Sequence, residues 1–419
     1  MDMKRIIVVC SLFLASCSSD THEVFSWDGL LQSDNEAFNL VMADLAKYQV
    51  QINYTQIDRD EYGKAKLSSQ ELLIDTQRYF YPASTVKMPA AFMALHKMNK
   101  LIDEEYALDR DSIMLHDSIR PPQSYVRIDT THASGLPSLA HYINKVFVVS
   151  DNDAYNRLYE FCGQAYLNKS LQDLGVFDNS RIRTRVGISG FSTEDNRYTN
   201  PVKFVDQKGH ILVRQEEEYN SADDLIFPYL TNTSKGKGYY DDDLDSIIMK
   251  PFDMSEKNFI NVKDLEASLQ RVILPENFSE EQRFKLRDED YQFLYQAMSK
   301  YPNDYDFLKD NPDFYDGYVK FFMYGDTKED IPDHIHIFNK VGFAYGTLTD
   351  CAYIFDTDTG VEFFLTATIY VNDNQIFNDG KYEYDEIGIP FLAELGRLVY
   401  QYEVKRKREY RMDFSKYLK

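Results

Sequence analysis

Cysteine is scarce in this chain, with four residues in 419. Cys10 lies inside a short apolar run and Cys17 closes it, so only Cys162 and Cys351 remain for the body of the protein. Two cysteines that far apart make neither a disulfide framework nor a zinc-ligand pattern. Each sits among apolar residues and reads as a buried thiol acting as a small hydrophobe. Long apolar runs are missing too: no stretch reaches the ~20 residues that a membrane-spanning helix needs. Basic charge is in deficit, 46 Lys and Arg against 68 Asp and Glu, a formal net charge of −22. Such a surface repels phosphate backbones and argues against nucleic acid as a partner. The acidic runs Glu216-Glu217-Glu218 and Asp241-Asp242-Asp243 read as solvated loop faces. There is no tandem repeat and no low-complexity linker. The 43% hydrophobic content suffices for a sizeable core, and the length suggests two or three domains of ~150 residues.

What is present begins at the N-terminus. Lys4 and Arg5 precede an apolar run from Ile6 to Ala15, the pattern of a secretory signal peptide. The run ends in Leu14-Ala15-Ser16-Cys17, which resembles the bacterial lipobox. That likeness implies a signal of residues 1–16, lipidation at Cys17, a tether over 17–34, and an exported protein held by a lipid anchor in the bacterial cell envelope.

Hydrophobic periodicity then predicts a helix over Glu36 to Lys47, strands over Gln49 to Ile57 and Leu72 to Tyr81, and a helix from Ser84 to about Asn99. Helices follow at Leu136 to Val149 and Asp151 to Phe161. Residues 180 to 259 are rich in Gly, Asn, Asp and Tyr and show weak periodicity. Helices over Val262 to Val272 and Asp288 to Met298 lead to three strands, His334 to Gly342, Thr349 to Asp356 and Glu362 to Val371, and a closing helix from Pro390 to Val404. The outer pieces, 35–83 and 333–410, can form one antiparallel sheet with helices upon it. The middle, 84–332, would be an inserted, mainly helical lobe. Sites favour such boundaries.

Three short segments carry chemistry. In Ser84-Thr85-Val86-Lys87 the i, i+3 spacing puts a hydroxyl and an amine on one helix face. A serine is a weak nucleophile until a base takes its proton, and a neutral lysine can serve. Ser150-Asp151-Asn152 lies between two helices, where such residues most often cap and turn. Lys340-Val341-Gly342 ends a strand and alone would read as an edge with an exposed lysine. Other signals fail: Gly187-Ile188-Ser189-Gly190 half matches a nucleophile elbow, and His334 with His336 lacks a third metal ligand.

In this order the three segments closely resemble the active-site motifs of class A β-lactamases and penicillin-binding proteins. The likeness extends beyond the motifs over Phe80 to Leu95, over Phe147 to Leu158 and over Asn339 to Ala352, and the resemblance as a whole covers about half of the mature chain. It implies an α/β (α+β) serine β-lactamase-like fold with a five-stranded antiparallel sheet flanked by helices and enlarged by an insertion over about 180–258. It further implies that Ser84 is acylated, that Lys87 takes its proton, that Ser150 relays a proton to the leaving nitrogen and that Asn152 holds the substrate amide. Lys340 would attract a substrate carboxylate, and the N–H groups of Ser84 and Phe343, beside Gly342, would form an oxyanion hole. An ordinary lysine has a pKa of ~10.4, so Lys87 must be depressed by burial or a neighbouring cation, for which Lys340 is the natural candidate. No metal or cofactor is required. The substrate would be a small molecule or derived from peptidoglycan.

Two departures stand out. Val341 replaces the usual Ser or Thr, and the nearby position that often supplies an arginine is Leu348 or Thr349, so a substrate carboxylate loses partners. The loop that normally brings a water-activating glutamate reads Arg183-Thr184-Arg185-Val186-Gly187; Glu194 and Asp195 are the available substitutes. The leading expectation is a serine hydrolase acting on amide bonds. A peptidoglycan D,D-peptidase or transpeptidase, and a non-hydrolytic acyl-binding sensor lipoprotein, are the alternatives.

Overall fold

The computed structural model describes residues 25–221, 229–305, 307–309 and 311–418. The signal and lipobox readings, and Cys17 with them, lie outside these residues. Among the described residues no helix is long and apolar enough to cross a membrane.

A five-stranded antiparallel sheet organises the molecule. Its spatial order is Ile335–Ala344, Thr347–Asp356, Glu362–Tyr370, Gln51–Arg59, Ala65–Leu72. Three late strands thus join an early hairpin where Gln51 opposes Thr368 and Gln56 opposes Phe363. Both faces are covered, and side chains alternate between two cores as strand geometry demands. Leu348, Ala352 and Ile354 enter one apolar cluster with Phe38, Phe391 and Leu395 of the flanking helices Glu36–Met42 and Ile389–Lys405. Cys351, Tyr353 and Phe355 of the same strand enter the other, with the helical lobe. Cys162 and Cys351 are both free and buried.

The first two late strands meet in a two-residue turn in which Tyr345 and Gly346 have φ of 53° and 75°. Left-handed conformation at both positions is what a tight hairpin needs to match strand twist.

The second strand differs from expectation. It runs Ala65–Leu72 rather than Leu72 to Tyr81. Its sequence, AKLSSQEL, is polar because it is an edge strand with exposed positions, so it carries little apolar signal. Leu73 has a φ of 54°, which ends the extended run. The apolar Tyr79-Phe80-Tyr81 that suggested a strand is irregular backbone packed in a third cluster with Phe259 and Phe377. The first helix is also shorter than its pattern, covering Glu36–Met42, with Asn35 accepting from the Phe38 N–H.

The helical lobe places Lys87–Asp103 at its centre, buried along most of its length. Leu139–Val148, Asn152–Cys162, Gln164–Asp173, Val262–Ile273 and Asp288–Ser299 surround it. The described residues within 180–258 include short ribbons: Val202–Val205 lies between Ile113–His116 and Ile211–Gln215, and Gly238–Asp241 pairs with Ser246–Ile248.

Glu266, on Val262–Ile273, is buried against the sheet. Its carboxyl accepts from the Thr55 hydroxyl at 2.5 Å, the Gln270 amide at 2.9 Å and the Thr366 hydroxyl at 3.0 Å. Burial pushes its pKa up to about 7 against the pull of these bonds. The folded chain therefore keeps a proton that the unfolded chain releases above pH ~4.3. Stability from this group falls as pH rises from there to 7 and stays at the lower level beyond. Glu266→Gln supplies a neutral isostere and is expected to gain ~1–3 kcal/mol at pH 8, a gain that closes at acid pH. Denaturant titrations of the two proteins at pH 8 and pH 5 read this directly; equal stability at pH 8 would remove the buried-acid account.

Candidate active site

The nucleophile segment is fixed from below. Tyr79, Phe80, Tyr81 and Ala83 are buried in the third apolar cluster. Ala83 has a φ of 47°, and Thr85 donates from both its N–H (3.1 Å) and its hydroxyl (2.7 Å) to the Pro82 carbonyl. These contacts hold a 3₁₀ turn over Ala83–Val86, which leads into the helix Lys87–Asp103. The expected helix is therefore present, with Ser84 in a tighter first turn. Ser84 is half-buried, and among the described residues its hydroxyl has no hydrogen-bond partner.

The edge strand Ile335–Ala344 closes on this turn at Gly342. A Cβ there would stand 2.7 Å from both the Pro82 carbonyl oxygen and the Ser84 nitrogen, and 2.8 Å from the Thr85 nitrogen. Only glycine permits that approach. Because the strand is the sheet edge, one row of its backbone groups faces away from the neighbouring strand, toward Ser84. Phe343, next in the chain, is 53% exposed, with its ring near Phe321 and Tyr384.

Lys87 does not turn back to Ser84. Its amine donates to Asn152 Oδ1 at 2.7 Å and to the Ser150 carbonyl, and lies 3.3 Å from the Ser150 hydroxyl. Burial drives its pKa well below the ordinary lysine value; Lys340 adds to the fall and Asp151 opposes it. A neutral amine has two N–H donors and one lone pair. Asn152 and the Ser150 carbonyl take the donors, so the lone pair is left for a hydroxyl proton.

Lys340 is 1% exposed and donates to the Ser150 hydroxyl at 2.9 Å and to the Val341 carbonyl at 2.8 Å. Burial lowers its pKa to about 7, with Asp350 opposing and Lys320 adding to the fall. Two of the three N–H donors of a charged Lys340 are thus committed inside the site. Ser150, with a φ of 55°, holds the hinge between Lys87 and Lys340, a strained backbone of the kind that gathers at working sites. Asp151 also performs the capping role its residue type suggests, accepting from the Ala154 N–H at 2.8 Å.

Two features lay beyond the sequence reading. Lys320 donates to Met298 O at 2.6 Å, Ile337 O at 2.9 Å and Asn339 Oδ1 at 2.8 Å. Asn339 in turn donates to Asp350 Oδ1 at 2.8 Å. This chain ties the Lys340 strand to the helical lobe; its signal was a single lysine inside the apolar run Tyr318 to Met323. Asn156, one helical turn after Asn152, exchanges two hydrogen bonds with Val186, at 2.9 and 3.1 Å.

That clamp sets the loop 183–187 beside the motif. Gly187 has a φ of 60°, and a Cβ on it would come within 1.9 Å of Asn152 Nδ2. Val186 is buried and brings no carboxylate. Glu160, on the same helix, is committed to Arg185 at 3.0 Å, Arg157 at 3.2 Å and Asn200 at 3.0 Å. Glu194 pairs with Arg197, and Asp195 accepts from both the N–H and the hydroxyl of Ser192. Among the described residues, the hydrogen bonds of the Lys87 and Lys340 amines run to none of these carboxylates. His336 stacks on Phe355, and among the described residues no group of three or more His, Cys, Asp and Glu side chains could hold a metal ion.

The model of the beta-lactamase enzyme family matches residues 36–234. That span includes Ser84, Lys87, Ser150 and Asn152 and stops short of Lys340. Similar solved structures include a beta-lactamase from Chitinophaga pinensis DSM 2588, 13% identical, with 87% of this chain and 97% of that chain covered and a TM-score of 0.46. Another is the chromosome-encoded beta-lactamase of Vibrio parahaemolyticus, at 12% identity, 88% and 98% coverage and a TM-score of 0.45. A third, from Sphaerobacter thermophilus DSM 20745, is 14% identical, with 90% and 98% coverage and a TM-score of 0.45. No curated protein matches the chain.

Proposed function

We propose that this serine hydrolase of β-lactamase type forms an acyl-enzyme on Ser84 with a β-lactam or a related amide or ester, and releases it slowly. The observation that carries the reading is the donor count at Lys87, three residues after Ser84: both N–H groups are engaged by Asn152 and the Ser150 carbonyl, which leaves the lone pair for a hydroxyl proton, with the Ser150 hydroxyl 3.3 Å away. In the first step Ser84 Oγ bonds to the carbonyl carbon while its proton passes to Lys87 Nζ. The carbonyl electrons move onto oxygen, toward the N–H groups of Ser84 and Phe343. Collapse expels the leaving nitrogen, which takes a proton through Ser150 from the lysine pair. Asn152 holds the substrate amide.

The loop 183–187 favours slow release. Val186 stands in the clamp of Asn156, in the stretch where the resemblance expects a water-activating glutamate. General-base help contributes ~10²–10⁴ in rate, and its loss at this one step leaves the serine acylated. The same observation favours, as a second reading, a peptidoglycan D,D-peptidase or transpeptidase in which another nucleophile accepts the acyl group.

Intact-protein mass spectrometry after mixing with a penicillin, and with a cephalosporin, tests this over time. The expected result is a stoichiometric adduct that persists for minutes, together with a burst in a chromogenic assay. Steady turnover at tens per second without a burst would refute slow release and make Glu194 and Asp195 the first residues to replace. No adduct with either drug and no turnover would remove β-lactams from the substrate class.

A further inference from the structure

The insertion reaches the nucleophile along a line of aromatic rings. Tyr81, three residues before Ser84, lies 4.9 Å from Tyr345 between ring centroids; Tyr345 lies 5.6 Å from Phe252, and Phe252 lies 5.5 Å from Phe377. Ala83 belongs to the cluster on which these rings rest. Lys257, also from the insertion, places its ammonium over two of them, 5.5 Å from Phe252 and 5.4 Å from Tyr345. Ring faces attract the charge but engage few of its N–H groups. Among the described residues, the Lys257 ammonium has no hydrogen bond and no ion pair.

At the opposite end of the site Lys340 already gives hydrogen bonds to Ser150 and Val341, and Val341 has no hydroxyl to offer. Gly342 marks the point where the edge strand meets Ser84. Lys340 precedes that point and hydrogen-bonds Ser150, whereas Tyr345 follows it by three residues, in the turn that ends the strand. With Ser150 serving the leaving nitrogen, the aromatic line receives the acyl portion.

We propose that Lys257 selects the charge of the acyl group: the site prefers acyl donors with a flat apolar body that lies on Tyr345 and Phe252 and bears a carboxylate at its far end. The inference rests on the acyl-enzyme reading of Ser84 for the assignment of acyl and leaving sides. The flat body would bury ring surface, and the carboxylate would meet an ammonium whose donors are uncommitted, a charge-assisted pairing about twice as strong as a neutral one.

The test separates binding from chemistry. Phenylacetamide and 4-carboxyphenylacetamide are titrated calorimetrically into Ser84→Ala and into Ser84→Ala/Lys257→Gln. The carboxylate is expected to bind about tenfold tighter to the first protein at low salt, a preference that added salt weakens and that Lys257→Gln erases. Wild-type enzyme is then mixed with two penicillins that differ only in a para-carboxylate on the phenylacetyl group, and acylation of Ser84 should show the same order. Equal binding of the two amides, no detectable binding of the carboxylate amide, or a preference that survives Lys257→Gln overturns the inference. A binding preference that Lys257→Gln erases, without any acylation by either penicillin, upholds charge selection by Lys257 and counts instead against β-lactam acylation of Ser84.

Discussion

Replacing Lys87 with Met is expected to slow acylation of Ser84 by ~10²–10⁴-fold, the usual worth of a positioned general base, while Ser84→Ala eliminates the adduct. The reason lies in the surroundings of the amine. Burial first, and the Lys340 charge second, push Lys87 well below its ordinary pKa, which favours the neutral, lone-pair form that a general base needs. The pH dependence has a definite sign. The base works only when neutral, so acylation falls as pH drops through its depressed pKa. Lys340→Met removes the repelling charge, lets that pKa rise, and moves the acid limb to higher pH. Pre-steady-state acylation measured from pH 5 to 9 reads both effects. Lys87→Met acylating within threefold of wild type would assign the base elsewhere. An acid limb that stays in place, or moves down, in Lys340→Met would remove the coupling. The double variant Ser84→Ala/Lys87→Met should behave as Ser84→Ala, because both changes disable one step.

Gly342→Ala is the second large effect, and it touches no polar group. The added methyl would meet the Pro82 carbonyl and the Ser84 and Thr85 nitrogens at 2.7, 2.7 and 2.8 Å. All three are backbone atoms of a turn pinned by Thr85 and by the apolar cluster under Ala83, so the edge strand must move. A displacement on the order of 1 Å costs ~10²-fold in rate, and losing an oxyanion donor costs ~10²–10³-fold. A fall of at least ~10²-fold in the acylation burst is expected, with a cooperative melt retained because the rest of the strand stays paired to Thr347–Asp356. A burst within threefold of wild type would mean that the strand does not shape the site.

The legibility of this molecule in its sequence divides by length scale. The three late strands and the central helices were visible because alternating or helical apolar patterns are local, and the structure puts their ends within a few residues of the patterns. The strand Ala65–Leu72 was invisible for the complementary reason: at a sheet edge it needs few apolar residues, and the apolar triplet that mimicked it belongs to a loop core. Ser84, Lys87, Ser150, Asn152 and Lys340 could be read as motifs, and four of the five are joined by hydrogen bonds. What spacing could not convey is direction. The i, i+3 relation of Ser84 and Lys87 suggested a mutual hydrogen bond, whereas the lysine bonds across to Ser150 and Asn152. Lys340, whose segment alone would read as an exposed strand edge, is buried. Lys320 and Asn156 act through partners more than fifteen residues away, and Lys257 reaches Tyr345; no local pattern reports such contacts.

The order of the sheet has a consequence for how the protein is made. Ser84 emerges from the ribosome more than two hundred residues ahead of Gly342, and the early hairpin has no partner until Glu362–Tyr370 follows. Such pairing between distant segments is slow to form and comes after local helices. The reactive serine therefore spends most of synthesis without the strand that completes its surroundings. A chain truncated between Lys87 and that strand would carry the nucleophile and its lysine yet lack the geometry to use them, so activity becomes a report on complete folding.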